Sequence, residues 1–170
     1  KADAWGERGH HLICAEAARL VQEPNLNSFL KSRGALMGHV CNIPDIHWKS
    51  LPASVSGIGN ATHYFEPDLL SLDIKQISTN FEDFKTQLSA LGDISQLLQR
   101  TGTLWWRADQ LSRLATEAAR LAVTNHSPVN SLEEQLNTLP YNVNVYDMMT
   151  YMGLLGHFAG DASMPFHNTG

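Results

Sequence analysis

The chain has 170 residues, of which 43% are apolar, so it is long enough to bury one sizeable core, and its length fits one domain. Only 17% of the residues are charged and the formal net charge is -5, which argues against charge-driven wrapping of duplex nucleic acid by a basic face. A nucleic-acid substrate stays open, because bound metal ions can supply the positive charge that side chains do not.

The first part of the chain predicts one helix followed by a long irregular connection. Apolar residues recur at helical spacing from about residue 9 to residue 22, and Pro24 follows where a helix should end. Glycines, prolines and small polar residues without a sustained period fill residues 34–65. Long connections of this kind are usually functional or disordered.

The rest of the chain predicts further helices. Periodic apolar stripes cover residues 80–100, which Gly92 could interrupt, and residues 105–125. A short helix is predicted over residues 132–139 and a long apolar helix over residues 142–160. Strand patterns are scarce. The sequence therefore predicts an all-α, multi-helix bundle with one long irregular loop.

The start of the chain and its cysteines bear on the cellular compartment. Residues 2–4, Ala-Asp-Ala, have the small-x-small form of a signal-peptidase site, so we interpret residues 1–4 as a signal-peptide remnant and Trp5 as the mature N-terminus. Cys14 and Cys41 form no CxxC pair; they either form one disulfide in an oxidising compartment or stay unpaired. No apolar run of about 18 residues occurs, so no transmembrane segment is predicted. We expect a secreted or periplasmic protein.

A histidine and an aspartate lie four residues apart near the end of the last predicted helix. This spacing places His157 and Asp161 on one helix face, where the two side chains could bind one cation. An alternative is a His–Asp hydrogen bond on a solvated face, which is common at this spacing. His167 follows after Pro165 and could bind a neighbouring ion if the chain turns back at the proline.

Further candidate ligands are widely separated in the sequence. His10 lies in the opening turn of the first predicted helix, while Asp45 and His63 lie in the irregular segment. Imidazole nitrogens and carboxylate oxygens are ligands that zinc accepts, and a helical bundle could bring these residues together. The remaining histidines are interpreted as surface or loop residues; they are His11, His39, His47 and His126.

Taken together, these motifs resemble a known superfamily. The pattern consists of WGxxGH at residues 5–10, Asp45, HYF at residues 63–65 and HFxGDxxxPxH at residues 157–167. Its order and local spacings are similar to those of the zinc-dependent phospholipase C and single-strand-specific nuclease superfamily over nearly the whole chain. The resemblance implies an all-α bundle with three zinc ions in a cleft, which agrees with the helical periodicity.

The resemblance also implies a ligand set. The free amine and carbonyl of Trp5 would hold one zinc ion together with His10 and Asp161. Asp161 would bridge this ion to a second one. The second ion would be held by Asp45, His63 and His157.

His167 would begin the third zinc site. The family's other ligands for that ion lie further along than this chain extends, so the third site is expected to be incomplete here. A catalytic zinc ion usually has three protein ligands. The resemblance therefore implies that residues 5–170 are the N-terminal part of a single zinc-dependent hydrolase domain.

The implied activity is hydrolysis of phosphodiester bonds by a metal-activated water, which Asp45 could orient. Tyr64 corresponds to an aromatic on which the nucleases stack a base, and this favours a nuclease acting on single-stranded DNA or RNA. Trp48 stands where the fungal nucleases carry an arginine, so a zinc-dependent phospholipase C is the alternative. A non-catalytic zinc-binding helical module is a third hypothesis. No stable protein partner is inferred.

Overall fold

The computed structural model describes residues 5–168, apart from the side chains of Ile58 and Phe166. Residues 1–4, the predicted signal-peptide remnant, lie outside this range. Within the described range the chain is helical and forms no β-strand, which confirms the all-α prediction. The α-helices in chain order are α1 (Gly6–Leu20), α2 (Pro24–Lys31), α3 (Gly34–Ile43), α4 (Ala53–Asn60), α5 (Phe81–Ser89), α6 (Ile94–Thr101), α7 (Leu104–Thr124), α8 (Ser131–Glu134) and α9 (Pro140–Ala162).

Helix α9 lies at the centre of the bundle. It packs extensively against α7 and also against α3 and α1, so it is covered on several sides. This explains why its sequence is apolar around most of its circumference instead of amphipathic. An aromatic core cluster lies towards its C-terminal half and includes Phe65, Phe84 and Phe158, each completely buried. A second cluster around Leu30 and Met149 covers its N-terminal half.

A disulfide joins the two helices that flank α9. Cys14 of α1 is bonded to Cys41 of α3, so the pairing that the sequence left open is present. A Cβ atom at Gly156 of α9 would collide with Sγ of Cys14. The glycine therefore allows α9 to pass directly beneath the disulfide.

The prediction of an irregular segment over residues 34–65 is wrong over most of its length. Helix α3, a π-helix at Pro44–Trp48 and α4 occupy most of it. Gly34 and Gly38 mark close helix packing instead of loop structure, because a Cβ at Gly38 would lie 2.7 Å from Cε1 of His11, and one at Gly34 would lie 3.2 Å from the carbonyl oxygen of Ala15. Burial of α3 on more than one side also removes the periodic polar face on which the prediction relied.

The other predicted helices agree with the structure with two adjustments. The stretch over residues 80–100 is split into α5 and α6 at Gly92, whose positive φ of 154° favours glycine. Helix α8 ends at Glu134 and is shorter than the predicted helix over residues 132–139. Among the described residues, no helix is both long and apolar enough to cross a lipid bilayer.

Candidate metal centre

The C-terminal half of α9 carries two buried polar side chains. His157 is completely buried and Asp161 is 2% exposed, so the alternative of a His–Asp pair on a solvated face is wrong. Nε2 of His157 lies 3.2 Å from Oδ2 of Asp161. Burying such groups is unfavourable unless they are paired or bind a metal, and the pair is therefore a candidate for function.

The WGxxGH motif anchors the start of α1 on the end of α9. Gly6 has a φ of 59°, and a Cβ at Gly9 would lie 2.7 Å from Cβ of Trp5, so both glycines are needed for the Trp5 side chain to fold over the helix. The indole Nε1 of Trp5 donates a hydrogen bond to the carbonyl oxygen of Gly160 at 2.9 Å. This packing brings His10 of α1, which is 1% exposed, against α9. The role of the Trp5 amine as a ligand stays a prediction.

The segment at residues 61–66, which begins as a turn after α4, positions His63. It lies along the turn between α6 and α7, where Gly102 has a φ of 82° and a Cβ would collide with the carbonyl oxygen of Tyr64. Nδ1 of His63 lies 3.0 Å from Oδ2 of Asp161 and 3.1 Å from Nε2 of His157. The segment is held by backbone hydrogen bonds from Thr103 N to Ala61 O, from Leu104 N to Tyr64 O and from Glu66 N to Thr101 O.

Asp45 lies on the π-helix after α3 and is the most accessible carboxylate of the group. Its Oδ2 lies 3.9 Å from Nε2 of His10, and its Oδ1 lies 3.7 Å from Nε2 of His157. The ammonium of Lys49 lies 2.5 Å from the same Oδ1. Burial raises the pKa of the Asp45 carboxyl, but the hydrogen bond from Lys49 and the nearby His157 outweigh burial and hold that pKa below its ordinary value.

The carboxylate of Asp161 is at the centre of the group, and its two oxygens face different partners. Oδ1 lies 3.2 Å from Nε2 of His10 and 3.7 Å from Nε2 of His167, whereas Oδ2 faces His63 and His157. Burial raises the pKa of Asp161, but hydrogen bonds from His10, His157 and His63 reverse the effect and hold the pKa far below its usual range. Two oxygens directed at two groups of nitrogens suit a carboxylate that bridges two cations.

The buried groups are spaced as metal ligands are. His10, Asp45 and His157 form one set and His63, His157 and Asp161 another, and within each set the ligand atoms lie within 4.8 Å of one another. Two ligands about 2.1 Å from a tetrahedral zinc ion are separated by about 3.4 Å, and most of the distances above are close to that value. The predicted convergence of His63, His157 and Asp161 is confirmed, and these buried groups could hold a metal ion.

The cluster contains two nitrogen atoms that have no hydrogen-bond partner among the described residues. They are Nδ1 of His10 and Nδ1 of His157, and both are buried. The two rings stack with their centroids 4.0 Å apart. Burial lowers the pKa of His157, and Asp161 only partly opposes that effect. A neutral imidazole is the form that binds a metal, so the environment of His157 favours the ligating form.

His167 is placed at the edge of the cluster by a short 3-10 turn at Pro165–His167. The chain turns back there, and the carbonyl oxygen of His167 accepts a hydrogen bond from the backbone N–H of Phe65 at 2.8 Å. Its role in a third metal site stays a prediction. Of the other histidines, His39, His47 and His126 are exposed.

Tyr64 is half-buried next to the cluster and is already engaged within the chain. Its hydroxyl donates to the carbonyl oxygen of Gln99 at 2.5 Å, and its ring packs over Gly102. Burial raises the pKa of the Tyr64 hydroxyl, and Glu66 adds to that effect. These contacts fix the orientation of the ring, while its predicted stacking on a base stays a prediction.

Arg107 of α7 was not predicted as a residue near the site. Its guanidinium carbon lies 5.9 Å from the centre of the Trp48 ring and 5.7 Å from the centre of the Phe158 ring. An arginine therefore reaches the neighbourhood of Trp48 from a different helix. Its position in the first turns of an amphipathic helix gave no sequence pattern that could have identified it.

Comparison of the chain with protein-family models, with curated proteins and with solved structures finds no match. The resemblance to the zinc-dependent phospholipase C and nuclease superfamily therefore depends on the sequence motifs.

Proposed function

We propose that this chain is a zinc-dependent phosphodiesterase that hydrolyses single-stranded DNA or RNA. The observation that carries the proposal is the convergence of metal-ligating side chains from four separate parts of the sequence. Helix α1, the π-helix, the segment at residues 61–66 and α9 all contribute to one group. Structural stability alone does not account for this group, since burying ionisable side chains is unfavourable unless they are paired or bind a metal. The converging side chains are His10, Asp45, His63, His157 and Asp161.

In this mechanism the side chains of the chain have separate tasks. Zinc ions bound at the group would neutralise phosphoryl oxygens and lower the pKa of a water molecule to about 7. Asp45 is the carboxylate that solvent reaches, and its lowered pKa keeps it ionised, so it can accept a hydrogen bond from the attacking water and orient it. Asp161 is buried beneath the histidines and fixes their positions.

The choice of a nucleic-acid substrate is supported by Tyr64, whose half-buried ring lies directly after His63 and could stack on an unpaired base. A duplex hides its bases, so it is expected to be a poor substrate. A zinc-dependent phospholipase C is the second candidate, because Trp48 stands where the fungal nucleases carry an arginine. The disulfide between Cys14 and Cys41 supports the proposal that the protein is secreted or periplasmic.

The test combines metal content with activity. The protein is loaded with zinc, dialysed and analysed by elemental mass spectrometry, and hydrolysis of single-stranded DNA, duplex DNA and phosphatidylcholine is measured in parallel. We expect Asp161→Asn to lose metal and all phosphodiesterase activity, because the two oxygens of this one carboxylate face two different groups of histidine nitrogens. Asp147→Asn, an exposed carboxylate on the same helix, is the matched control and should change neither.

Three outcomes would contradict this proposal. A wild-type protein that binds no zinc would exclude the metal centre. A single closed, four-ligand zinc site without activity would indicate the non-catalytic helical module. Cleavage of phosphatidylcholine without cleavage of single-stranded DNA would favour the phospholipase.

A further inference from the structure

The disulfide lies about one helical turn away from two candidate metal ligands. Cys14 follows His10 by four residues on α1, and Cys41 precedes Asp45 by four residues where α3 runs into the π-helix. Residues four apart lie on the same side of a helix, about 6 Å apart along its axis. The bond therefore joins the two elements that carry His10 and Asp45 close to the place where these side chains meet.

Helix α9 passes beneath the disulfide and then carries His157, which completes a set of candidate ligands with the two residues above. A Cβ atom at Gly156 would collide with Sγ of Cys14 and would lie 3.7 Å from Sγ of Cys41. His157 is the next residue along α9. The disulfide thus lies against all three elements that supply this set of ligands.

The position of the Asp45 side chain depends on the main chain that carries it. Among the described residues, its charged partner is Lys49, which lies four residues further along the same segment. The distances from its carboxylate oxygens to the nitrogens of His10 and His157, 3.9 Å and 3.7 Å, are too long for hydrogen bonds. The course of α3 and the π-helix therefore sets where this carboxylate lies relative to the histidines.

The other candidate ligands are held by direct contacts. Nδ1 of His63 lies 3.0 Å from Oδ2 of Asp161, and Nε2 of His10 lies 3.2 Å from Oδ1 of the same carboxylate. Backbone hydrogen bonds also hold the segment at residues 61–66 in place. Loss of the disulfide should therefore affect Asp45 more than His63 and Asp161.

The packing between α1 and α3 is open on one side near Asp45. Gly34 and Gly38 bring the two helices close together. Nearer to Asp45, a cavity of about 490 Å³ opens between the first turns of α1 and the end of α3. Its lining residues are Glu7, Arg8, His11, Leu12 and Asn42. Because side chains leave space on this side, the covalent bond on the side that faces α9 gains importance for the end of α3.

We propose that the disulfide between Cys14 and Cys41 positions the Asp45 carboxylate for metal binding. This inference rests on the metal centre of the proposed function but not on its substrate. A disulfide that only stabilises the fold acts mainly by restricting the unfolded chain, so its loss would leave the metal affinity of the folded protein unchanged. A positioning disulfide changes that affinity, since residues that orient metal ligands typically alter it about 10- to 100-fold.

The experiment measures the metal affinity of the folded protein. Metal-free protein is titrated with cobalt(II) in the presence of a competing chelator, well below its melting temperature, and visible absorption reports coordination. Cys14→Ala/Cys41→Ala should bind the ion held by Asp45 about 10- to 100-fold more weakly, while the affinity of the ion held by His63 and Asp161 stays the same. Asp45→Asn identifies the ion that depends on Asp45.

Combining these changes tests whether the disulfide acts through Asp45. Adding Asp45→Asn to the disulfide-free variant should cause little further loss of affinity, because both changes act on one ligand and are not additive. Met149→Ala is the matched control. It removes apolar packing at the other end of α9, lowers stability, and should keep both wild-type cobalt affinities.

Circular dichroism identifies a variant that fails to fold, and Cys14→Val/Cys41→Ala, which fills more of the space left by the sulfur atoms, then takes its place. A wild type that binds no cobalt overturns the metal centre and this inference together. Equal affinities in the wild type and the disulfide-free variant overturn this inference alone. It is also overturned if Met149→Ala loses as much affinity, or if the effects of Asp45→Asn and of disulfide removal are additive.

Discussion

The two halves of α9 are both buried but have opposite chemistry. The N-terminal half carries Met148 and Met149, which pack against Leu30 and other apolar side chains. The C-terminal half carries His157 and Asp161, which are buried just as deeply among other polar groups. Burial of the methionines stabilises the bundle directly, whereas burial of the polar groups is favourable only if they find partners. The comparison separates the part of the helix that stabilises the fold from the part that the proposed function requires.

The largest effect on stability is expected at the apolar half. Met149→Ala should lower the free energy of unfolding by about 2–5 kcal/mol, because it leaves a cavity in a closely packed cluster. Chemical denaturation of the zinc-free protein measures this change. Met149→Leu keeps the volume and should lose less than about 1.5 kcal/mol. Zinc content should stay the same in both variants; loss of zinc in Met149→Ala would mean that the two halves are not independent.

The disulfide lies over Gly156, which directly precedes His157 in the C-terminal half of α9. Replacing both Cys14 and Cys41 with alanine should destabilise the protein by about 3–4 kcal/mol, because the bond closes a loop with a sequence separation of 27 residues. Denaturation of the variant is compared with that of the wild type under reducing conditions, and the two should agree. If the double variant and the reduced wild type were both as stable as the oxidised wild type, helix packing alone would fix α1 against α3.

Substitution of Tyr64 tests the candidate site at the polar, C-terminal half of α9 without removing a metal ligand. Tyr64→Ala should reduce turnover of single-stranded DNA about 5- to 100-fold, since stacking on a base contributes about 1–3 kcal/mol. Tyr64→Phe keeps the ring and loses the hydrogen bond to Gln99, so it shows how much of the loss comes from ring placement. Zinc content should be unchanged in both. Full activity of Tyr64→Ala would remove the main support for a nuclease over a phospholipase.

A smaller change in stability is expected when the pH of the zinc-free protein is lowered. Burial lowers the pKa of His157 below its ordinary value of 6.5, so the unfolded chain takes up a proton before the folded chain does. Stability is therefore retained above pH 6.5 and is lost as the pH falls towards the folded-state pKa. The melting temperature should decrease between pH 7.5 and pH 5.5, and less so in His157→Gln. His126→Gln, an exposed histidine, should behave as the wild type does.

Sequence periodicity predicted the longer helices but missed α2, α4 and the helix packed through small residues, α3. The predicted helix over residues 105–125 differs from α7 by one residue at each end, because this helix keeps one polar face. Helix α3 has no such face and contains Gly34 and Gly38 at its contacts with α1, so its composition is typical of a loop.

The candidate metal ligands could be predicted because they lie in short motifs of distinctive composition. The positions of Trp106 and Arg107 could not, since they depend on how α7 packs after folding. Trp106 and Arg107 are ordinary residues of an amphipathic helix in the sequence. Only the three-dimensional arrangement leaves Nε1 of Trp106 and Nε of Arg107 buried without a hydrogen-bond partner among the described residues.

The attachment of the segment at residues 61–66 to the turn before α7 has an evolutionary consequence. The hydrogen bonds that hold it along residues 101–104 join backbone atoms, so they do not depend on the identity of most side chains there. Side chains such as those of Thr62 and Tyr64 can change while His63 keeps its position relative to Asp161. A scaffold of this kind could change the surface beside the candidate metal ligands through single substitutions without moving the ligands themselves.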